Sequence, residues 1–245
     1  MEALAQLGKL DPENAAQQLV NAFPKAAAGE KKVIISALGD LKGTGADRAL
    51  TAMLSDLRAG KVAPEVQLEL IEAAEKRESA EVKTTLAGYH SALPTDNPVA
   101  AAQALLAGGN REAGEKLFKE HAVAQCFRCH KVAGSGGDAG PDLTKIAAQK
   151  DRSYILESIL VPNAHIAEGF QMAMITTKKG DLVAGLLKGE TSDAVTLQIP
   201  GAAAVQVAKA DIAKQETAPS GMPPVGQMLS KREIRDIVEY VASLK

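Results

Sequence analysis

The apolar residues of this chain keep a helical period as far as Leu93, lose it at Pro94-Thr95-Asp96-Asn97-Pro98, and take up a β-like alternation only from Gln171 onward. That change of period constrains the fold more than any other feature, because a 3.6-residue stripe cannot serve as a two-residue alternation. Before the break, Leu4, Leu7 and Leu10 open one helix. Ala16, Leu19, Val20 and Phe23 mark the next, with Asp11-Pro12 as its N-cap and first helical residue. Val33, Ile34, Ala37, Leu38 and Leu41 follow, stopped by Lys42-Gly43-Thr44-Gly45. Helices are expected again over Asp47–Leu57, around Val66, Leu68, Leu70, Ile71 and Ala74, and over Val82–Leu93.

Composition says how such helices pack. The 245 residues are 46% apolar, enough for a buried core, yet only 3% aromatic and without Trp. Small side chains must therefore carry helix-on-helix contact. Short helices joined by Gly-containing turns resemble HEAT-like repeats, and residues 1–106 are expected to form such a domain, with an irregular helical bundle as the alternative. The charges of this half are expected on solvated outer faces. A net charge of -2 excludes a broad basic field for nucleic acid. No window approaches the roughly 18 apolar residues of a membrane span. Met1-Glu2 leads into Asp11-Pro12-Glu13-Asn14 without a basic head and apolar stretch, so either the protein is cytoplasmic or an export signal has been removed.

A second domain is expected over 107–245. An Ala-rich helix from Val99 to Ala107 and Gly108-Gly109-Asn110 lead to a helix over Arg111–Val123. Another spans Ser153–Leu160, with Pro162 beyond its end. Then the period falls to two. Gln171–Thr177, Leu182–Leu187, Val195–Ile199 and possible strand Ala204–Ala208 form a small antiparallel insertion at about 170–212, with a hairpin turn at Lys178-Lys179-Gly180-Asp181. Ser230 and Glu233 then form a capping box for a last helix carrying Ile234, Ile237, Val238, Val241 and Leu244. The fold class is mainly α.

The chemistry lies in Cys126-Phe127-Arg128-Cys129-His130. Two thiols three residues apart with an adjacent imidazole form the c-type haem attachment pattern: the thiols add to the two vinyl groups and the imidazole ligates the iron. By spacing alone a redox dithiol or a zinc site also fits. The dithiol usually opens a long helix after a strand, whereas here a helix precedes and Gly134–Gly140 follows. Zinc needs about four ligands, and His121 or His165 would have to help. Gly134–Gly140 lacks the Lys-Ser/Thr of a phosphate-binding loop.

Further residues narrow the choice. Gly114-Glu115-Lys116-Leu117-Phe118, the Cys126–His130 run, Gly140-Pro141-Asp142-Leu143-Thr144, Arg152–Leu160, Pro162, Ile166–Phe170 and Met222-Pro223 occur in order. In this ordered set the chain resembles the cytochrome c superfamily over roughly 110–245, and more closely the haem-binding domain of secreted planctomycete and verrucomicrobial proteins. That family often has Leu where this chain has Gly221. The resemblance implies one haem c held through Cys126 and Cys129, with His130 as proximal and Met222 as distal ligand. It implies that the Pro141 carbonyl accepts a hydrogen bond from His130, and that Arg152 and Tyr154 reach a propionate. Gly114 and Phe118 would let the first helix of the domain cross the last near Tyr240 and Val241. Met228 is the rival distal ligand, although a packing role beside the last helix is expected for it. Met172, Met174, His121 and His165 are weaker rivals, and His90 is expected to face solvent.

The resemblance further implies electron transfer, with a dehydrogenase module or partner as donor, and export to the periplasm or beyond. With both axial positions filled, no enzymatic activity of its own is expected. The alternatives are a haem peroxidase or ligand sensor with a displaceable Met222, or a helical protein-docking scaffold with an accessory haem.

Overall fold

The structure, a computed structural model, describes residues 9–199 and 201–245. Leu4 and Leu7 lie outside the described residues, and Leu10 is 86% exposed rather than part of a core. The chain forms two compact units, one ending at Gly109 and one running from Asn110 to Lys245.

In the first unit, α1 (Pro12–Ala22) begins where Asp11 Oδ1 accepts the Asn14 backbone N–H at 3.0 Å. It is followed by α2 (Ala28–Asp40), α3 (Thr44–Arg58), α4 (Gln67–Glu75) and α5 (Ala80–Ser91). Each helix packs most closely on the one two places along: α1 on α3, α2 on α4, α3 on α5. The helices therefore alternate between two layers, and Leu38, Leu50, Leu54, Leu68 and Leu70 are buried within them. In place of the expected helix over Val99–Ala107 stand a single helical turn, α6 (Pro98–Ala101), and a 3-10 turn at Gln103–Leu105.

Not all charges of this unit face solvent. Glu69 is buried, and Arg77 Nε meets Asp47 Oδ1 at 2.7 Å with side-chain exposures of 11% and 18%. The Arg77 guanidinium also donates to the carbonyls of Leu41 and of Gly43, the latter at 3.2 Å, so it closes the turn between α2 and α3. The Leu41 carbonyl lies just past the end of α2 and the Gly43 carbonyl at the N-cap of α3. We predict that Arg77→Ala costs about 3–5 kcal/mol, because Asp47 is left nearly buried and unpaired. Urea unfolding would check this, with Asp47→Ala in the Arg77→Ala background adding far less than it does alone.

The second unit opens with α7 (Arg111–Glu120), capped by Asn110 Oδ1. It ends three residues short of the expected Val123. His121 Nδ1 accepts the backbone N–H of Val123 (3.2 Å) and Ala124 (3.1 Å), which turns the chain away from the helix. The last helix, α10 (Lys231–Val241), has its capping box: Ser230 binds Glu233 through both backbone and hydroxyl and holds that carboxyl below its ordinary value. Helices α7 and α10 cross where Gly114 meets Asp236. A β-carbon on Gly114 would stand 1.8 Å from the Asp236 carbonyl oxygen, so only glycine permits the crossing. Phe118, 1% exposed, packs there against Tyr240 with ring centroids 5.5 Å apart.

Between them lie α8 (Cys126–Cys129), the two-residue strands β1 (Lys131–Val132) and β2 (Ser135–Gly136), and α9 (Arg152–Leu160). An antiparallel sheet follows: β3 (Met172–Thr177), β4 (Leu182–Glu190), β5 (Ala194–Gln198), β6 (Ala204–Ala208) and β7 (Ile212–Ala218), in spatial order β6-β5-β4-β3-β7. Ala173, Ile175, Val195, Leu197 and Val207 form its core. The insertion thus runs past the expected limit near 212, to Ala218, and its last strand returns to pair with its first. Strand β7 was illegible because Lys214-Gln215-Glu216 put polar side chains on both faces of an edge strand. No described helix is long and apolar enough to cross a membrane.

Candidate functional site

The site is built on the single turn of α8. Gln125 precedes it in the left-handed region (φ 44°) and its backbone N–H reaches back to the His121 carbonyl at 3.1 Å. The turn brings the His130 N–H to the Cys126 carbonyl at 2.9 Å, so Cys126, Cys129 and His130 sit on one tight loop of backbone. Phe127 of this turn meets Phe118 edge-on, at 6.4 Å and 71°, which ties the motif to the α7–α10 crossing.

The segment after the motif folds back over it. Gly137 N–H donates to Phe127 O (3.0 Å), Gly140 N–H to Cys129 O (2.7 Å) and Leu143 N–H to Lys131 O (2.8 Å). Thr144 Oγ1 accepts the Ala133 N–H at 2.8 Å and donates to Asp142 Oδ1, which also accepts the Thr144 N–H at 2.8 Å; the hydroxyl first and the amide second hold the Asp142 carboxyl below its ordinary value. Gly140 is pressed flat against the imidazole: a β-carbon there would lie 2.7–3.1 Å from three His130 ring atoms. The Pro141 carbonyl stands 2.9 Å from His130 Nδ1, which assigns the proton to Nδ1 and leaves the Nε2 lone pair as the donor. Burial pushes the pKa of His130 down, favouring the neutral ring that ligates metals. Burial likewise pushes the Cys126 thiol up to about 11, opposite to the lowered value of a redox-active dithiol. Among the described residues no three His, Cys, Asp or Glu side chains converge as a metal-binding group, which zinc would require.

Other candidates are placed differently. His121 has Nδ1 occupied by two backbone donors and Nε2 3.4 Å from Glu233, so it is a structural cap. His165 stacks on Tyr154 (6.0 Å, 17°) and approaches Glu157 at 3.3 Å, with most of its side chain exposed. Lys150 Nζ lies 4.4 Å from the Tyr154 ring centre. Arg152 grips Glu239 of α10 through two bonds of 2.9 and 2.7 Å, a partner that spacing could not reveal. His90 is exposed and lies edge-on to Tyr89.

Met222 is half-buried in the loop between β7 and α10, its N–H donating to Ser220 Oγ at 3.1 Å. Met228 is 57% exposed, which overturns its expected packing role; Val225 and Leu229 supply the buried side chains before α10 instead. Asn163, missed in the sequence, holds the loop: its Oδ1 accepts the Ser220 N–H at 2.7 Å. The only signal for it was its place in a Pro-punctuated turn. Met172 and Met174 lie on the face of β3 opposite to Ala173 and Ile175.

A tight turn presents two thiols and one oriented imidazole, with room for no side chain against that imidazole, an arrangement consistent with the attachment pattern of a c-type haem. Residues 111–196 match the family model for cytochrome c, and the second unit carries a cytochrome c domain of a c-type haem protein. The match takes in α7, the Cys126–His130 motif, α9 and the sheet as far as β5. No curated protein matches the chain.

Proposed function

We propose that the second unit is a mono-haem electron-transfer domain with His130 and Met222 as axial ligands. The observation that carries the reading is the His130–Pro141 bond of 2.9 Å, which orients the ring and raises the basicity of its outer nitrogen. The residues fit the group: Cys126 and Cys129 supply two thiols on one turn for the thioethers, and Gly140 leaves the ring face clear of a side chain. When bound, haem c supplies a one-electron iron couple. Met222 contributes a soft thioether that favours the ferrous state and raises the potential. Arg152 and Tyr154, at the start of α9, are read as propionate neighbours, a role that Arg152 shares with its grip on Glu239.

A dehydrogenase module or partner is the proposed donor, and export is the proposed fate, since proteins of the family it resembles have their haem attached outside the cytoplasmic membrane. The first unit is read as a HEAT-like domain, supported by its two-layer alternation of helices. The test is an optical spectrum of the reduced protein matured with the attachment machinery. One acid-stable haem per chain, low-spin in both redox states and closed to carbon monoxide at neutral pH, is expected. Haem that extracts into acidified acetone, or an iron that binds carbon monoxide freely, would sink the reading; the second result would favour a ligand sensor or peroxidase.

A further inference from the structure

Strand β3 turns Ala173 and Ile175 into the sheet core and therefore turns Met172 to the other face. There Met172 pairs across β4 with Leu186, which is buried, and across β7 with Ala218, which is half-buried. Ala218 is the last residue of the sheet, and Met222 follows four positions later. Gln171 Nε2 donates to the carbonyls of Ala218 (3.2 Å) and Met172 (3.1 Å), which locks this corner of the sheet. Gly221 sits beside it: a β-carbon there would lie 3.9 Å from both Cγ and Sδ of Met172, in van der Waals contact. Asn163 Oδ1 takes the Ser220 N–H. The backbone just before Met222 is thus tied to the turn after α9 and runs beside Met172 of the sheet.

We propose that Met172 is a positioning residue for Met222, a sheet-borne side chain that fills the space beside Gly221 and fixes the distal-ligand loop. The proposal rests on the reading of Met222 as the ligand. A flexible, unbranched thioether suits an irregular gap beside a glycine. Because Met172 points away from the sheet core, its truncation leaves Ala173, Ile175 and their neighbours in place.

The experiment compares M172A, M172L and M222A in the intact haem-loaded protein, by the sulfur-to-iron band of the oxidised form and by carbon monoxide binding to the reduced form. M172A is expected to lose part of the band and to raise the carbon monoxide-reactive fraction at least about tenfold, equivalent to about 1.4 kcal/mol of loop ordering. M172L, which refills the space without sulfur, is expected to restore both readouts. A lower melting temperature in M172A with band and carbon monoxide exclusion unchanged would make Met172 a mere filler and overturn the proposal. M172L behaving like M172A would overturn it too, since sulfur rather than shape would then matter. A band that survives in M222A refutes the Met222 reading itself; if M172A then abolishes it, Met172 is the ligand and not its support.

Discussion

Replacing Met222 with Ala is expected to abolish the weak sulfur-to-iron band of the oxidised protein, lower its potential and open the reduced iron to carbon monoxide. The loop geometry is the reason. Ser220 is pinned by Asn163, Met222 donates to Ser220, and Pro223 and Pro224 restrict the backbone immediately after it. A side chain held in this way can meet a partner without first having to order its own backbone. Met228 gives the contrast. Spacing suggested a packing role, but its exposure leaves little to lose, so Met228→Ala is expected to change stability by no more than about 0.5 kcal/mol and to leave the band untouched. A spectrum and a melt on each variant decide the matter. Loss of the band in Met228→Ala and its retention in Met222→Ala would transfer the ligand.

The second large effect belongs to Gly114. Any side chain there strikes the Asp236 carbonyl and the Tyr240 β-carbon, and the first of these is helix backbone that cannot rotate away. Gly114→Leu is therefore expected to push α7 from α10 and to cost about 3 kcal/mol or more. For a unit of this size that is a fall in melting temperature of roughly 10 °C. The displaced Phe118 would also lose its contacts with Tyr240 and Phe127, so the haem absorption should change in the same transition as the helical signal. A variant that melts like the parent would show that the helices part without cost.

What the sequence disclosed and what it hid divide along physical lines. The Cys126–His130 turn and the capping box at Ser230 and Glu233 are local and rest on residue types with few alternative uses, whereas the crossing at Gly114 and Phe118 was implied only by the resemblance to the cytochrome c superfamily. The strands β3 to β6 were visible because Ala173, Ile175, Val195, Leu197 and Val207 recur at every second residue and build one continuous apolar face. Strand β7 lacked that contrast, and so the closure of the sheet on Met172 went unseen. Long-range pairings were equally hidden: Arg77 with Asp47, Arg152 with Glu239 and Asn163 with Ser220 join residues whose spacing carries no period. The exposure of Met228 followed from a different omission. Its neighbours Val225 and Leu229 already fill the space before α10, and an apolar residue beside a core is not thereby part of it.

The two units also differ in when they can close. In the first, helices lean on neighbours one or two places along, so a growing chain can add them in the order in which they are made. In the second, the Asn110 N–H that opens the unit binds Asp236 Oδ1 at 2.7 Å, 126 residues later. Helix α7 has nothing to cross until Lys231–Val241 has been synthesised. Cys126 and Cys129 emerge about a hundred residues before that event. The second unit therefore closes only once its last helix is made, whereas the first can close as its helices appear.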